Sequence, residues 1–326
     1  MLALPPFTVI APEAEHTLAK VLRSRLHLHQ PSWSDVKALI ENRRVKIGDT
    51  VCADAARRVR EGEIIELLIR PASAARNAVA DTLVIRHLDD HVVVVEKPSG
   101  ISSVRHPAEL EWSERRRELD PTLYDLAHAA IAKRLNRSLK TLPPLRIVHR
   151  LDKETSGLLV FARTVLAERV LGMQFRKHTV VRRYLAIVPG TMIARTIRSY
   201  LTRDRGDGRR GSTRSADSTG KEAITHIEVQ TRLPKHTILS CRLETGRTHQ
   251  IRIHLSEAGH PVCGEKVYIK NMNGTTVLNP DGAPRLALHA TELGFVHPVS
   301  EVVMHWEMPL PADLLRFVAK LQHGLS

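Results

Sequence analysis

Residues 149–163, HRLDKETSGLLVFAR, decide how this chain is read. HRLDKET is a charged turn, Ser156-Gly157 is a small-residue corner, and Leu158–Ala162 is an aliphatic run of buried-strand length. A charged turn feeding straight into a buried strand sets Arg150, Asp152 and Lys153 at the rim of a rigid sheet, where binding and catalytic groups commonly sit. An aspartate near an arginine is ordinarily a structural ion pair, so the local pattern alone leaves both a structural and a catalytic role open.

Around that strand the pattern passes between strands and helices without strict β-α order. Thr82–Arg86 and Val92–Glu96 read as a hairpin turning at Asp89-Asp90, and Thr164 caps a helix running to about Lys177. Arg182–Val188, Ala223–Thr231 and Ile238–Leu243 read as strands. His249–Ala258 reads as a helix, and Leu286–Ala290 and Gly294–His297 as the last two strands. This order predicts an α+β domain on a mixed, largely antiparallel sheet. Arg105–Pro144 reads as an insertion, with an acidic-basic helix over Glu109–Leu119. No internal repeat is visible.

Ahead of this domain, residues 14–70 read as a small α/β unit. Thr17–Arg25 is helix-like, with Leu18, Val21 and Leu22 on one face; Ser34 is a candidate cap for a second helix lined by Val36, Leu39 and Ile40. Val45–Ile47 and Glu63–Ile69 are short strands. The small-residue stretch PASAARNAVA makes residues 71–81 a linker, so the expected domains span 14–70 and 82–326.

The 326 residues are 42% hydrophobic, enough for a sizeable core, but only 4% aromatic. Lys and Arg exceed Asp and Glu by 49 − 35 = 14, a charge that attracts polyanions. Cys52, Cys241 and Cys263 are far apart and form no CxxC pair, which argues against a zinc ribbon or a disulfide scaffold and fits a reducing cytoplasm. The opening MLALPPFTVIAPEAE lacks the pattern of a signal peptide, and the longest aliphatic strings, such as Val92–Val95, are far too short to span a membrane.

HRLDKETSGLLVFA resembles, almost letter for letter, the catalytic motif of the RluA family of pseudouridine synthases. VVVVEKPSGI (Val92–Ile101) resembles the strand and turn that open the family's catalytic domain, and RRYLAIVPG (Arg182–Gly190) the segment bearing its active-site tyrosine. LETGRTHQIRIHLSEAGHPVCGEKVY (Leu243–Tyr268) is similar to its third motif, and LALHATELGFVHP (Leu286–Pro298) to its closing strands. The likeness covers about residues 82–310, and long matches in the right order are far more specific than a short pattern. The small unit ahead, TLAKVLRSRL onward, looks like an S4-type RNA-binding domain. The resemblance implies the pseudouridine synthase fold and a cytoplasmic, monomeric RNA-modifying isomerase that needs no cofactor or metal. Large-subunit ribosomal RNA is the implied target, with transfer RNA the alternative.

The chemistry fits those residues. Isomerising a uridine breaks a C–N glycosidic bond and builds positive character on the sugar. The uracil's own C5 is the next nucleophile, so one carboxylate suffices, and water must be kept out. The resemblance makes Asp152 that carboxylate. Tyr184 is to stack on the uracil and take part in proton transfer, and Arg252, in the HQIR segment, is to hold Asp152 ionised against burial. Arg150 is to fill the gap left by the flipped base or to hold phosphate. Lys97, His149, Arg247 and His249 complete the substrate-binding set, and His249 shares a helix face with Arg252. Lys20, Arg23, Lys37, Arg43 and Arg44 on the S4-like helices are to meet RNA phosphates, together with the Arg- and Gly-rich stretch 195–221, expected to lack fixed structure until RNA arrives. Glu154 is read as a surface residue. His226, His236, His249, His254 and His260 show no metal-ligand spacing of zincin type. Two rival readings stand beside this one. An RNA-binding factor with an inactive catalytic domain would be free to lose Asp152, Tyr184 or Arg252, and an N-glycoside hydrolase would release free uracil.

Overall fold

A computed structural model describes residues 4–26, 31–48, 50–52, 54–68, 83–204, 210–213, 220–269 and 282–323. The expected linker lies outside the described residues. The chain divides into two compact units, Met1–Thr82 with Arg105–Pro121, and Leu83–Val104 with Thr122–Ser326.

In the first unit, β1 (Phe7–Thr8), α1 (Leu18–Arg25), α2 (Trp33–Glu41), β2 (Val45–Ile47), β3 (Thr50–Val51) and β4 (Ile64–Leu67) form two helices on an antiparallel sheet ordered β1-β4-β2-β3. The Thr17 hydroxyl accepts the Lys20 amide to open α1, which buries Leu18, Val21 and Leu22 against Val36, Ile40, Val45 and Ile65. Ser32, not Ser34, caps α2: its hydroxyl accepts the Asp35 amide while the Asp35 carboxylate accepts the Ser32 amide. The segment 105–121 belongs to this unit, with a helix, α3, only over Glu114–Leu119. Arg43 donates to the Leu119 carbonyl at 2.9 Å and Arg116 pairs with Glu41 at 3.3 Å, which fastens the segment down.

The second unit is built on one eleven-stranded sheet. Its strands are β5 (Ile85–Leu88), β6 (Val92–Lys97), β7 (Arg146–Ile147), β8 (Ser156–Ala162), β9 (Val181–Pro189), β10 (Arg195–Thr202), β11 (Gly211–Thr213), β12 (Lys221–Arg232), β13 (His236–Leu243), β14 (Leu288–Val296) and β15 (Val303–Glu307). The order is β11-β10-β12-β13-β9-β14-β8-β6-β5, with β15 beside β14 and β7 beside β8. All pairings are antiparallel except β14 with β8. The architecture is α+β, with the helices α4 (Leu123–Arg134), α5 (Val165–Arg176), α6 (Gln250–Glu257) and α7 (Ala312–Gln322) packed on the sheet among the described residues. Val93, Val95, Leu159 and Phe161 bury against α4, α6 and α7, while Val92, Val94, Leu158 and Val160 bury against α5. Both faces of β6 and β8 are covered, so these strands read as unbroken aliphatic runs.

Several expectations change. Leu286–Ala290 and Gly294–His297 are parts of one strand, β14, whose register on β9 shifts between Ala290 and Glu292, breaking the alternation that marks a single strand. Residues 195–202 are not irregular but form β10, paired along its length with β12; residues 205–209 and 214–219 lie outside the described residues. Part of the supposed insertion beyond residue 121 is core, since Leu123, Ala127 and Ile131 of α4 are buried, while 133–141 are exposed. No helix among the described residues is long and apolar enough to cross a membrane.

Candidate active site

The loop between β7 and β8 is held from below by Lys97. This lysine ends β6 with no exposed surface, and its ammonium donates to the carbonyls of Pro98, Lys153 and Thr155 at 3.0, 2.9 and 2.7 Å. Burial pulls its pKa down to about 7, yet three acceptors around one nitrogen match the three donors of the charged form. The turn after it adds more bonds: Ser99 Oγ donates to the Glu154 carbonyl, the Gly100 amide to Lys153, and Ser103 Oγ to Leu151. At the loop's far end, Gly157 lies against Ala290 where β8 and β14 run parallel, and an added Cβ would collide with that backbone. The backbone on either side of Asp152 is therefore pinned to rigid sheet.

Asp152 faces α6. Arg252 Nη1 reaches Asp152 Oδ2 at 3.5 Å, while its Nε and Nη2 each donate to Glu265 at 2.7 Å. The Glu265 side chain is 1% exposed and also accepts the amides of Lys266, Val267 and Tyr268. Burial raises its pKa, but the bonds and charge of Arg252 and the amides outweigh this, so the carboxyl ends below its ordinary range. Glu265 takes the two short bonds of the guanidinium, so Asp152 is left with one long contact to it. His249 Nδ1 pairs with the Tyr268 hydroxyl at 2.7 Å, and its Nε2 lies 3.8 Å from Asp152; burial, ahead of the opposing pull of Asp152, lowers its pKa.

These groups open on a cavity of about 870 Å³ that also holds His149, Arg150, Phe175, Arg182, Tyr184 and Arg247 on its walls. Tyr184 comes from β9, opposite Cys241 and Ala290, and is buried; burial raises its phenol pKa against an opposing pull from Arg182, with a smaller push from Asp152, so it stays protonated at neutral pH. His149 stacks on Phe175 at 4.6 Å, and its Nε2 accepts the Val160 amide. Burial, then the nearby Arg182, drives its pKa down to about 3, which leaves the ring neutral.

Asp152, Tyr184, Arg252, His249, His149, Arg150 and Arg247 thus share one cavity, and Arg150 and Arg247 are exposed on its rim. Lys97 is the correction: buried under the loop, it cannot touch RNA and instead positions the backbone around Asp152. His149 offers a flat neutral wall, not a cation. In the first unit Lys20 and Lys37 are exposed, but Arg43 and Arg44 are half-buried and donate to the carbonyls of Leu119 and Leu68. They brace the fold. Sequence reasoning missed Glu265 and Arg182 altogether. Among the described residues, Glu292, His305 and Glu307 place metal-capable atoms within 4.8 Å of one another, but Arg183 already ion-pairs with both glutamates.

The sheet thus holds a pinned aspartate facing a tyrosine and a clamped arginine across one cavity, a site suited to chemistry at a single carboxylate. The chain belongs to the RNA pseudouridylate synthase family, which residues 91–257 match. It is 36% identical over 312 residues to ribosomal large subunit pseudouridine synthase D of Nitrosomonas europaea, covering 90% of this chain and 83% of that one. It is 38% identical to the protein of that name from Neisseria meningitidis serogroup A, covering 81% and 69%. The solved structure of human RNA pseudouridylate synthase domain containing 4 shares the fold, at TM-score 0.60 and 23% identity over 76% of this chain and 97% of that one. The chain is a pseudouridine synthase, as the motif resemblance implied.

Proposed function

We propose that this enzyme converts particular uridines of large-subunit ribosomal RNA to pseudouridine with Asp152 as the catalytic carboxylate, working in a reducing cytoplasm without a cofactor. The relatives' names support the ribosomal target, and the free thiols of Cys52, Cys241 and Cys263 fit the compartment. The observation that carries the assignment is that Asp152 meets Tyr184 and Arg252 in one cavity.

The extruded uridine enters with its ring against Tyr184 and its sugar at Asp152. The C1′–N1 bond breaks and its electron pair leaves with the uracil. Asp152, whether it bonds to C1′ or takes the C2′ proton to give a glycal, meets the cationic character of the sugar with a charge that Arg252 orients and Glu265 keeps from being neutralised. The uracil turns and C5 bonds to C1′ as the Asp152–C1′ bond breaks or, from the glycal, as Asp152 returns the proton to C2′; the C5 proton is lost and N1 gains one, so mass is unchanged. The phenol of Tyr184, protonated at neutral pH, is placed to pass that proton. Exposed Lys20, Arg23 and Lys37 support an S4-like role for the first unit in holding RNA phosphates.

Pseudouridine mapping of total RNA with and without the gene tests the target: loss of one or a few large-subunit sites is expected, and loss confined to transfer RNA overturns it. Asp152→Asn should abolish product while RNA binding stays within several-fold, and appreciable turnover by Asp152→Ala removes the assignment.

A further inference from the structure

Among the described residues, Arg182 is a buried cation on the cavity wall with no anion beside it. Arg182 stands two residues before Tyr184 on β9, so both side chains leave the strand on the same face, and both line the cavity with Asp152. Arg182 is only 8% exposed. Among the described residues no carboxylate pairs with it, its Nε has no hydrogen-bond partner, and Nη2 makes a long bond to the Glu244 carbonyl at 3.4 Å. Its other neighbours are the Phe175 ring, 5.4 Å from the guanidinium carbon, and the neutral His149. Arg252, as deeply buried, has both Glu265 and Asp152. A guanidinium taken out of water costs stability unless something negative meets it, and this one faces a space built to be filled. Gly246 leaves that space open: a Cβ there would come within 2.9 Å of Arg182 Nη1.

We propose that Arg182 is a phosphodiester-binding residue, gripping the RNA backbone phosphate next to the flipped uridine. Two residues of strand span about 6.6 Å, comparable to the reach from a base to its own nucleotide's phosphate. A ring lying on Tyr184 thereby puts a phosphate at Arg182 and the sugar between them at Asp152. The planar fork suits two phosphate oxygens at once. The inference rests on the reading of Asp152 and Tyr184 as the nucleotide site.

The test is a coupling measurement on the full-length enzyme, with RNA fragments carrying the mapped uridine. Each phosphate flanking that uridine is replaced in turn by a neutral methylphosphonate, and affinities are compared for wild type, Arg182→Gln and Arg182→Lys. The binding cycle runs in the Asp152→Asn background, where no product forms, so an active Asp152→Asn protein would sink the site reading separately. One position should cost on the order of tenfold in affinity with Arg182 present. Arg182→Gln should bind native RNA that much more weakly and be indifferent to the methylphosphonate there, and with Asp152 intact its single-turnover rate at saturating RNA should fall by less than its affinity. Arg182→Lys, which keeps the charge, should retain part of the coupling and serves if the glutamine variant does not fold. Fully additive losses would overturn the proposal, and so would a loss confined to the saturated rate, which would put Arg182 on the uracil instead.

Discussion

Arg252 divides its guanidinium unequally, with two short bonds to Glu265 and one long reach to Asp152. A bidentate pair with Asp152 would have consumed the charge the reaction uses. Glu265 takes that pairing, so Arg252 is fixed in direction and Asp152 is oriented without being spent. Glu265→Gln keeps the shape and removes the charge. It should destabilise the protein by about 3 kcal/mol, since one partner of a buried pair is left alone, and the single-turnover rate should fall because Arg252 then turns its whole charge on Asp152. Urea unfolding and quenched turnover read the two effects, and unchanged values of both would contradict the clamp. The pH dependence has a definite sign. A carboxyl whose pKa is lowered by folding contributes stability above its ordinary value of 4.5, and that contribution drains away as pH falls below it. The acid limb of the stability curve should therefore be flatter in Glu265→Gln than in wild type.

Gly157 shows what an element asks of a residue. The parallel pairing of β8 with β14 brings the Ala290 backbone against Gly157 Cα, so Gly157→Ala should cost about 3 kcal/mol or more through backbone displacement. A urea midpoint equal to wild type would show that the sheet yields there at no cost. The Ser156-Gly157 corner was legible in sequence because small residues before an aliphatic run signal a close approach. β8, β9, β13 and α6 were legible for a similar reason: their periodicity or their motif is local. β10 was not, because an edge-side strand of Arg, Ser and Thr looks like a loop until β12 supplies its hydrogen bonds. α4 did carry a readable start, Thr122 and Asp125 reciprocating as a capping box, and α7 the buried spacing Leu314, Phe317 and Leu321. Glu265 and the burial of Lys97 had no local signal at all. Each acquires its role from groups brought up by distant chain, Arg252 for one and the 153–155 carbonyls for the other.

At the scale of the whole molecule, the sequence suggested a cut after residue 81, but the first unit also owns residues 105–121, reached from the second unit by an excursion out and back. Removing residues 1–82 alone would strip Arg43 and Glu41 from that segment and leave Leu110, already 62% exposed, and the Trp112 ring stacked on Arg116 without the unit they belong to. The excursion's two ends are already joined: the Leu123 amide donates to the Ser102 carbonyl at 2.8 Å and Tyr124 to Ser103 at 3.2 Å. A short Gly-Ser bridge from Val104 to Thr122 should therefore close the gap with little loop strain. A chain lacking both 1–82 and 105–121 should unfold cooperatively and keep detectable turnover, because the sheet, the Lys97 cradle and the cavity all lie within the second unit. Its affinity for RNA should fall, and the slope of log affinity against log salt should shallow by roughly one for each phosphate that Lys20, Arg23 and Lys37 neutralise in the full-length protein. The single deletion of 1–82 should be the less soluble of the two. Equal salt slopes for full-length and doubly deleted protein would mean that the first unit holds no RNA phosphates, whatever its charge.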